Sequence, residues 1–165
     1  MVVADQITKV WARSALPTDG QGRGIRVSVI ENYFDWQLAY NTGSAFSLFA
    51  GTGGARIFLS LAALFAVAFI VWMVRSTPGL GRAGVTALAL IAGGAVGNLI
   101  DRVAFGKVTD FVLWRYHEHT WPIFNVADAA LTVGVVLFII ASWQLSRAEK
   151  RAEREASASS GKARS

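Results

Sequence analysis

Three stretches of the chain stay apolar for the length that a bilayer demands. Residues 57–74 (IFLSLAALFAVAFIVWMV) and 83–100 (AGVTALALIAGGAVGNLI) carry no charge, and residues 126–143 (VADAALTVGVVLFIIASW) carry only Asp128, close to the start. A hydrocarbon core of roughly 30 Å is crossed by about 20 residues of helix, and ordinary core helices are neither so long nor so uniformly apolar. The pattern predicts three membrane helices. Gly93, Gly94, Ala95 and Gly97 crowd small side chains at the far end of the second, where another helix can approach closely. The first twelve residues, MVVADQITKVWA, are too few to cross and read as the outer half of a first helix. The expected architecture is an all-α membrane bundle of four spans with the first truncated.

Polar residues divide the two sides of this bundle. The turn RSTPGLGR between the first two full spans holds Arg75 and Arg82 and no acid. The tail from Arg147 onward holds six basic residues against three acidic ones. Both are placed in the cytoplasm by the positive-inside tendency, which leaves 13–56 and 101–125 outside. Within the outer segment, residues 24–49 alternate β-branched and aromatic residues and break at Asn41-Thr42-Gly43, so a small extracytoplasmic β element is expected there. The chain is read as a membrane domain over 1–145 and a basic tail over 146–165, a short helical extension that frays into disorder.

Composition agrees with the pattern: 53% of residues are hydrophobic and 16% charged. The net charge of +5 sits at span ends and in the tail, which argues against a nucleic-acid partner. Cysteine is absent, so disulfides, thiolate nucleophiles and cysteine-bound metals are excluded. The N-terminal residues already include Asp5 and Lys9 and show no cleavage site, so the chain reads as inserted and not secreted.

Ionisable groups in or beside spans are costly and therefore functional candidates. Asp101 and Arg102 end the second full span, Asp110 follows in what reads as a loop, and Asp128 opens the third. Asn98 and Arg102 share a helical face at i and i+4, and Asn125 and Asp128 stand at i and i+3. Two converging carboxylates cannot both ionise easily, so one can act as acid and the other as base toward water. Each also has a structural reading. Asp128 could cap its helix, Asp101 could pair with Arg102, and Asp5 with Lys9 at i and i+4 reads as a structural ion pair. His117 and His119 have metal-like spacing but no third ligand, and Ser44 and Ser47 lack a base.

Four blocks in order, DQITK at 5–9, NTGSAFSLF at 41–49, GGAVGNLIDRVAFGKVTDF at 93–111 and FNVADAAL at 124–131, resemble the bacterial lipoprotein signal peptidases. These are the membrane aspartic peptidases of the type II signal peptidase family. The resemblance implies that Asp110 and Asp128 are the catalytic pair, and that Asn41, Gly43, Asn98, Arg102 and Asn125 line the site. It further implies a metal-free, cofactor-free endopeptidase acting as a monomer in the bacterial inner membrane, with its site toward the extracytoplasmic side. The implied substrates are prolipoproteins with a lipidated cysteine, cleaved beside membrane lipid. A transporter would instead place such acids near the bilayer midplane, commonly within repeated halves, and neither feature is seen. A scaffold would leave unexplained why Asn, Asp and Arg concentrate on one face.

Overall fold

The computed structural model describes residues 1–43 and 54–162. The elements run α1 (Val2–Ala15), β1 (Val27–Ile30), β2 (Phe34–Asn41), α2 (Gly54–Ser76), α3 (Gly81–Phe105), β3 (Val108–Tyr116), β4 (His119–Thr120) and α4 (Val126–Lys162). Among the described residues three helices are long and apolar enough to cross a membrane: α2, α3 and residues 126–148 of α4. Of the 23 residues of α2 only Ala55 and Ile70 are buried, while Leu61, Leu64, Phe65, Phe69 and Trp72 are exposed. So large an apolar surface is untenable in water and is what lipid would cover. At 14 residues, α1 is shorter than a span, and it packs against α3 and α4.

The tightest helix contact joins α3 to α4, and small residues make it possible. A Cβ at Gly94 would stand 2.5 Å from the Ala127 carbonyl oxygen and 2.7 Å from Leu131 Cγ. In lipid, helices gain by van der Waals contact and not by leaving water, so backbone proximity decides the packing. Gly94→Ala is therefore expected to cost about 1–3 kcal/mol by forcing α3 from α4. Thermal unfolding of the detergent-solubilised protein reads this as a lowered Tm, and an unchanged Tm would show that the two helices have room to spare.

A four-stranded antiparallel sheet, in the order β1-β2-β3-β4, joins the same end of the bundle as α1. The β element expected within 24–49 supplies β1 and β2; the NTGSAFSLF block beyond Gly43, with Ser44 and Ser47, lies outside the described residues. The sheet also recruits residues that read as a loop. Asp110 lies in strand β3, paired opposite Ala39 of β2. Its segment lacked an alternating pattern because Val108, Thr109, Asp110 and Phe111 are all buried, so both faces of the strand are covered here. On one face Thr109 and Phe111 meet α1: Arg13 donates to Thr109 Oγ1 at 2.8 Å, and the Phe111 and Trp11 rings meet edge to face at 6.0 Å.

Helix α4 runs to Lys162, and its Ala, Glu, Lys and Arg content favours helix there. One correction concerns the end of α3: Asp101 does not take Arg102 as its partner. It lies 3.7 Å from Lys9 Nζ and 3.7 Å from Arg13, and accepts the Thr109 N–H at 2.8 Å. Successive residues on a helix point about 100° apart, so Asp101 turns to α1 and β3 while Arg102 turns away. The chain leaves α3 through Gly106, whose φ of 74° places it in the left-handed region that favours glycine at a helix end.

Candidate active site

The site forms where the end of α3, strand β3 and the start of α4 meet. Phe124 fixes the meeting point: its N–H donates to the Val112 carbonyl at 3.0 Å, and its own carbonyl accepts the N–H groups of Phe111 and Val112. This bridge holds the next residue, Asn125, against Asp110. Asn125 and Asp128 then close a reciprocal cap. The Asp128 N–H donates to Asn125 Oδ1 at 3.0 Å, and the Asn125 N–H donates to Asp128 Oδ2 at 3.2 Å. That is a capping box, with Asn at the N-cap and an acid three residues later. The capping role weighed for Asp128 is thus present, and it occupies one carboxylate oxygen.

The other oxygen belongs to a chain of amides. Asn98 Nδ2 donates to Asp128 Oδ1 at 2.8 Å. Asn125 Nδ2 donates to Asp110 Oδ1 at 2.7 Å, and also approaches Asn98 Oδ1 at 3.1 Å and the Thr109 carbonyl at 3.2 Å. The two carboxylates are therefore joined through Asn125 and Asn98. Asn98 cannot reverse its amide, because its oxygen also accepts from Lys9 Nζ at 2.9 Å. An ammonium thus sets which way Asn98 donates. Asn41 hydrogen-bonds Asp110 as well, and its oxygen accepts the Gly43 N–H at 2.9 Å, which ties the turn after β2 to the site.

Lys9 is fully buried, as are Asp5 and Asp101. Asp5 is the near partner, at 2.9 Å from Nζ. The other Asp5 oxygen accepts the Ala127 N–H at 2.9 Å, inside the first turn of α4. This ion pair therefore ties α1, α3 and α4 together, more than the local i and i+4 pair alone requires. Sequence reasoning did not find Gln6, Thr109 or Arg13, which extend the network; Gln6 Nε2 donates to Asp5 and to the Gly97 carbonyl, each at 3.1 Å. Nor did it find Asp35 on β2, fully buried, with Arg115 Nε at 2.8 Å and Arg26 Nε at 3.6 Å. Apart from Gln6 with its neighbour Asp5, the contacts of Gln6, Arg13, Thr109 and Arg115 named here join residues distant in sequence, and no local spacing announces them.

Asp110 has an altered proton affinity. Burial, and then the nearby Asp128 charge, push its carboxyl up from the usual carboxylate range to about 7, against the opposing hydrogen bond from Asn125, the Lys9 charge and the hydrogen bond from Asn41. Asp110 and Asp128 thus influence one another electrostatically. Arg102, which donates to the Asn98 carbonyl at 3.4 Å, lies within electrostatic reach of both. Beside Asp128 opens a cavity of about 320 Å³ whose walls are Trp114, Trp121, Phe124, Ala129, Thr132 and Val133. It is an apolar groove ending at a carboxylate.

The histidines lie elsewhere. His117 is at the tip between β3 and β4 with a φ of 51°, its ring 4.7 Å from that of Tyr116, and His119 is exposed on β4. Among the described residues no three potential metal ligands gather.

Comparison with known proteins shows the family of the chain as a whole. A family model described as Signal peptidase (SPase) II matches residues 1–144. A lipoprotein signal peptidase of Pseudomonas putida is 42% identical over 156 residues, covering 90% of this chain and 85% of that protein. One from Xanthomonas campestris is 40% identical over 139 residues, covering 81% of this chain and 80% of the relative. A solved structure described as a bacterial membrane enzyme, obtained by the in meso method at 2.3 Å resolution, superposes with a TM-score of 0.73 at 29% identity, covering 87% of this chain and 82% of the other. A family match over most of the length, with relatives at about 40% identity, means that the chain belongs to the signal peptidase II family of membrane aspartic peptidases.

Proposed function

We propose that this protein removes signal peptides from diacylglyceryl-modified prolipoproteins, with Asp110 and Asp128 as its catalytic pair. The observation that carries the reading is the amide relay Asp110–Asn125–Asn98–Asp128 at the mouth of an apolar groove. Asp128, oriented by two N–H donors, takes a proton from water as the oxygen attacks the peptide carbonyl. Asp110, protonated, donates to the carbonyl oxygen, and Arg102 offsets the developing charge. Asp128 then passes its proton to the departing nitrogen as the C–N bond breaks, and Asp110 regains its own from the collapsing diol. The groove beside Asp128 would take apolar parts of the substrate, a lipidated cysteine with its acyl chains or the signal helix.

In this reading α1 completes a four-helix bundle, and the site lies at the extracytoplasmic face of the bacterial inner membrane. The inward basic residues, Arg75, Arg82 and the tail, support that orientation. The chain would work as a monomer without a metal. The test is cleavage of a diacylglyceryl-modified prolipoprotein in detergent with and without chelator. Cleavage that survives chelation supports the reading, and cleavage lost only on chelation would turn attention to the histidines. A folded protein that cleaves nothing would favour a transport role for the two acids.

The Asp110 shift sets a pH dependence. As the acid, Asp110 works only while protonated, so kcat/KM is expected to fall about tenfold per pH unit above about 7. Its folded-state value exceeds the ordinary 3.8, so the folded form holds the extra proton between about 4 and 7. The contribution of this group to stability therefore declines as pH rises through that window. A pH profile that stays flat to pH 9 would remove Asp110 from the acid role.

A further inference from the structure

The end of α4 remote from Asp128 carries a charge pattern that peptide cleavage does not use. Starting from Trp143, basic residues follow at Arg147, Lys150, Arg151 and Arg154, all exposed. Offsets of four, seven, eight and eleven lie along one face of a helix. By the 100° step the glutamate positions 149 and 153 fall away from that face, and position 155 lies at its edge, about 40° beyond Arg151.

Depth decides what the stripe meets. From the cap at Asn125, about 20 residues cross the hydrocarbon, so α4 leaves it near residue 146, and the headgroup layer occupies roughly the next 5–8 Å. Arg147, Lys150 and Arg151 then stand at the level of lipid phosphates, with Arg154 roughly 4–5 Å further out, well within a Debye length. Trp143 stands at the boundary, 56% exposed, and the Arg147 guanidinium lies 3.8 Å from its ring centroid. An indole at the interface beneath a guanidinium directed outward is an arrangement suited to anchoring at that depth. The turn bearing Arg75 and Arg82 packs at the same end, since residues 78–80 touch α4.

We propose that this stripe binds the anionic phospholipid headgroups of the leaflet from which α4 emerges, and so fixes the depth of the helix that carries Asp128. The proposal does not depend on the peptidase reading. The full chain would be reconstituted in phosphatidylcholine nanodiscs containing spin-labelled phosphatidylglycerol or spin-labelled phosphatidylcholine, and the immobilised lipid fraction measured. The protein is expected to prefer phosphatidylglycerol by about threefold or more, and less in high salt. Combining Arg147→Gln, Lys150→Gln, Arg151→Gln and Arg154→Gln should remove most of that preference with helicity retained, because Gln favours helix about as well as Lys and Arg. Combining Arg147→Lys, Arg151→Lys and Arg154→Lys should keep it, and this variant decides the matter should the Gln variant fail to insert. A wild-type preference absent from the start, an unchanged preference in the Gln variant or a lost one in the Lys variant overturns the proposal. So does a change of oligomeric state in the Gln variant without a change in lipid preference, which would assign the stripe to a second copy of the chain.

Discussion

Asp128→Asn is expected to lower cleavage of a lipidated prolipoprotein by about 10²–10⁴-fold while leaving the fold intact. The substitution separates the two roles that meet at this residue. Asn125 remains the N-cap, its Oδ1 still accepting the N–H of residue 128, and an asparagine oxygen at 128 can still accept the Asn125 N–H, so the box at the start of α4 survives. The charge and the proton site are lost, together with the acceptor for Asn98 Nδ2, which then faces an NH2 group. Asp128→Ala removes both and should additionally cost about 1 kcal/mol of stability. Asp110→Asn should lose activity to a similar degree, since its amide oxygen can still accept from Asn125 Nδ2. Measured turnover and Tm together decide the matter: an active Asp128→Asn protein would leave capping as the whole role of the residue, and a collapsed Tm would make any loss of activity uninformative about chemistry.

Replacing Lys9 should have the largest effect on stability. Lys9→Met fills similar space without charge and leaves Asp5 and Asp101, both fully buried, short of their shared cation. Removing one partner of a buried ion network costs about 3–5 kcal/mol, because the remaining charge has neither water nor counter-ion. Asp101 keeps Arg13 at 3.7 Å, so Asp5 bears most of the loss. Adding Asp5→Asn to Lys9→Met should recover part of the stability, because it neutralises that charge. Activity should stay low in both variants, since Asn98 then has no ammonium to orient its amide toward Asp128. Unfolding in detergent checks the first expectation, and a Lys9→Met protein as stable as wild type would show that the buried acids are neutral or find water.

Asp5 shows how local spacing understates a residue. Its pairing with Lys9 follows from one helical turn, yet its second oxygen accepts from Ala127, 122 residues away. Asp101 shows the reverse error: adjacency proposed Arg102, and the fold supplied Lys9, Arg13 and Thr109 instead. The same limit applies to Asp110, which read as a loop residue and lies on a strand whose partner, β2, is about seventy residues earlier. The proposal of Asp110 and Asp128 as a pair came from ordered family blocks and not from spacing.

The sequence by itself determined the three long apolar helices, the polar end at which Asn98, Arg102, Asn125 and Asp128 gather, and the close approach allowed by the small residues of α3. Hydrophobic length and i to i+3 or i+4 spacing are properties of a single segment, so they can be read before the chain folds. Tertiary structure alone decided that β3 joins β2, that Phe124 holds Asn125 against Asp110, that Lys9 orients Asn98, and that the cavity opens beside Asp128. Each of these depends on where separate segments meet, and a buried polar group is satisfied by whichever donor the packing brings near, however distant it is along the chain.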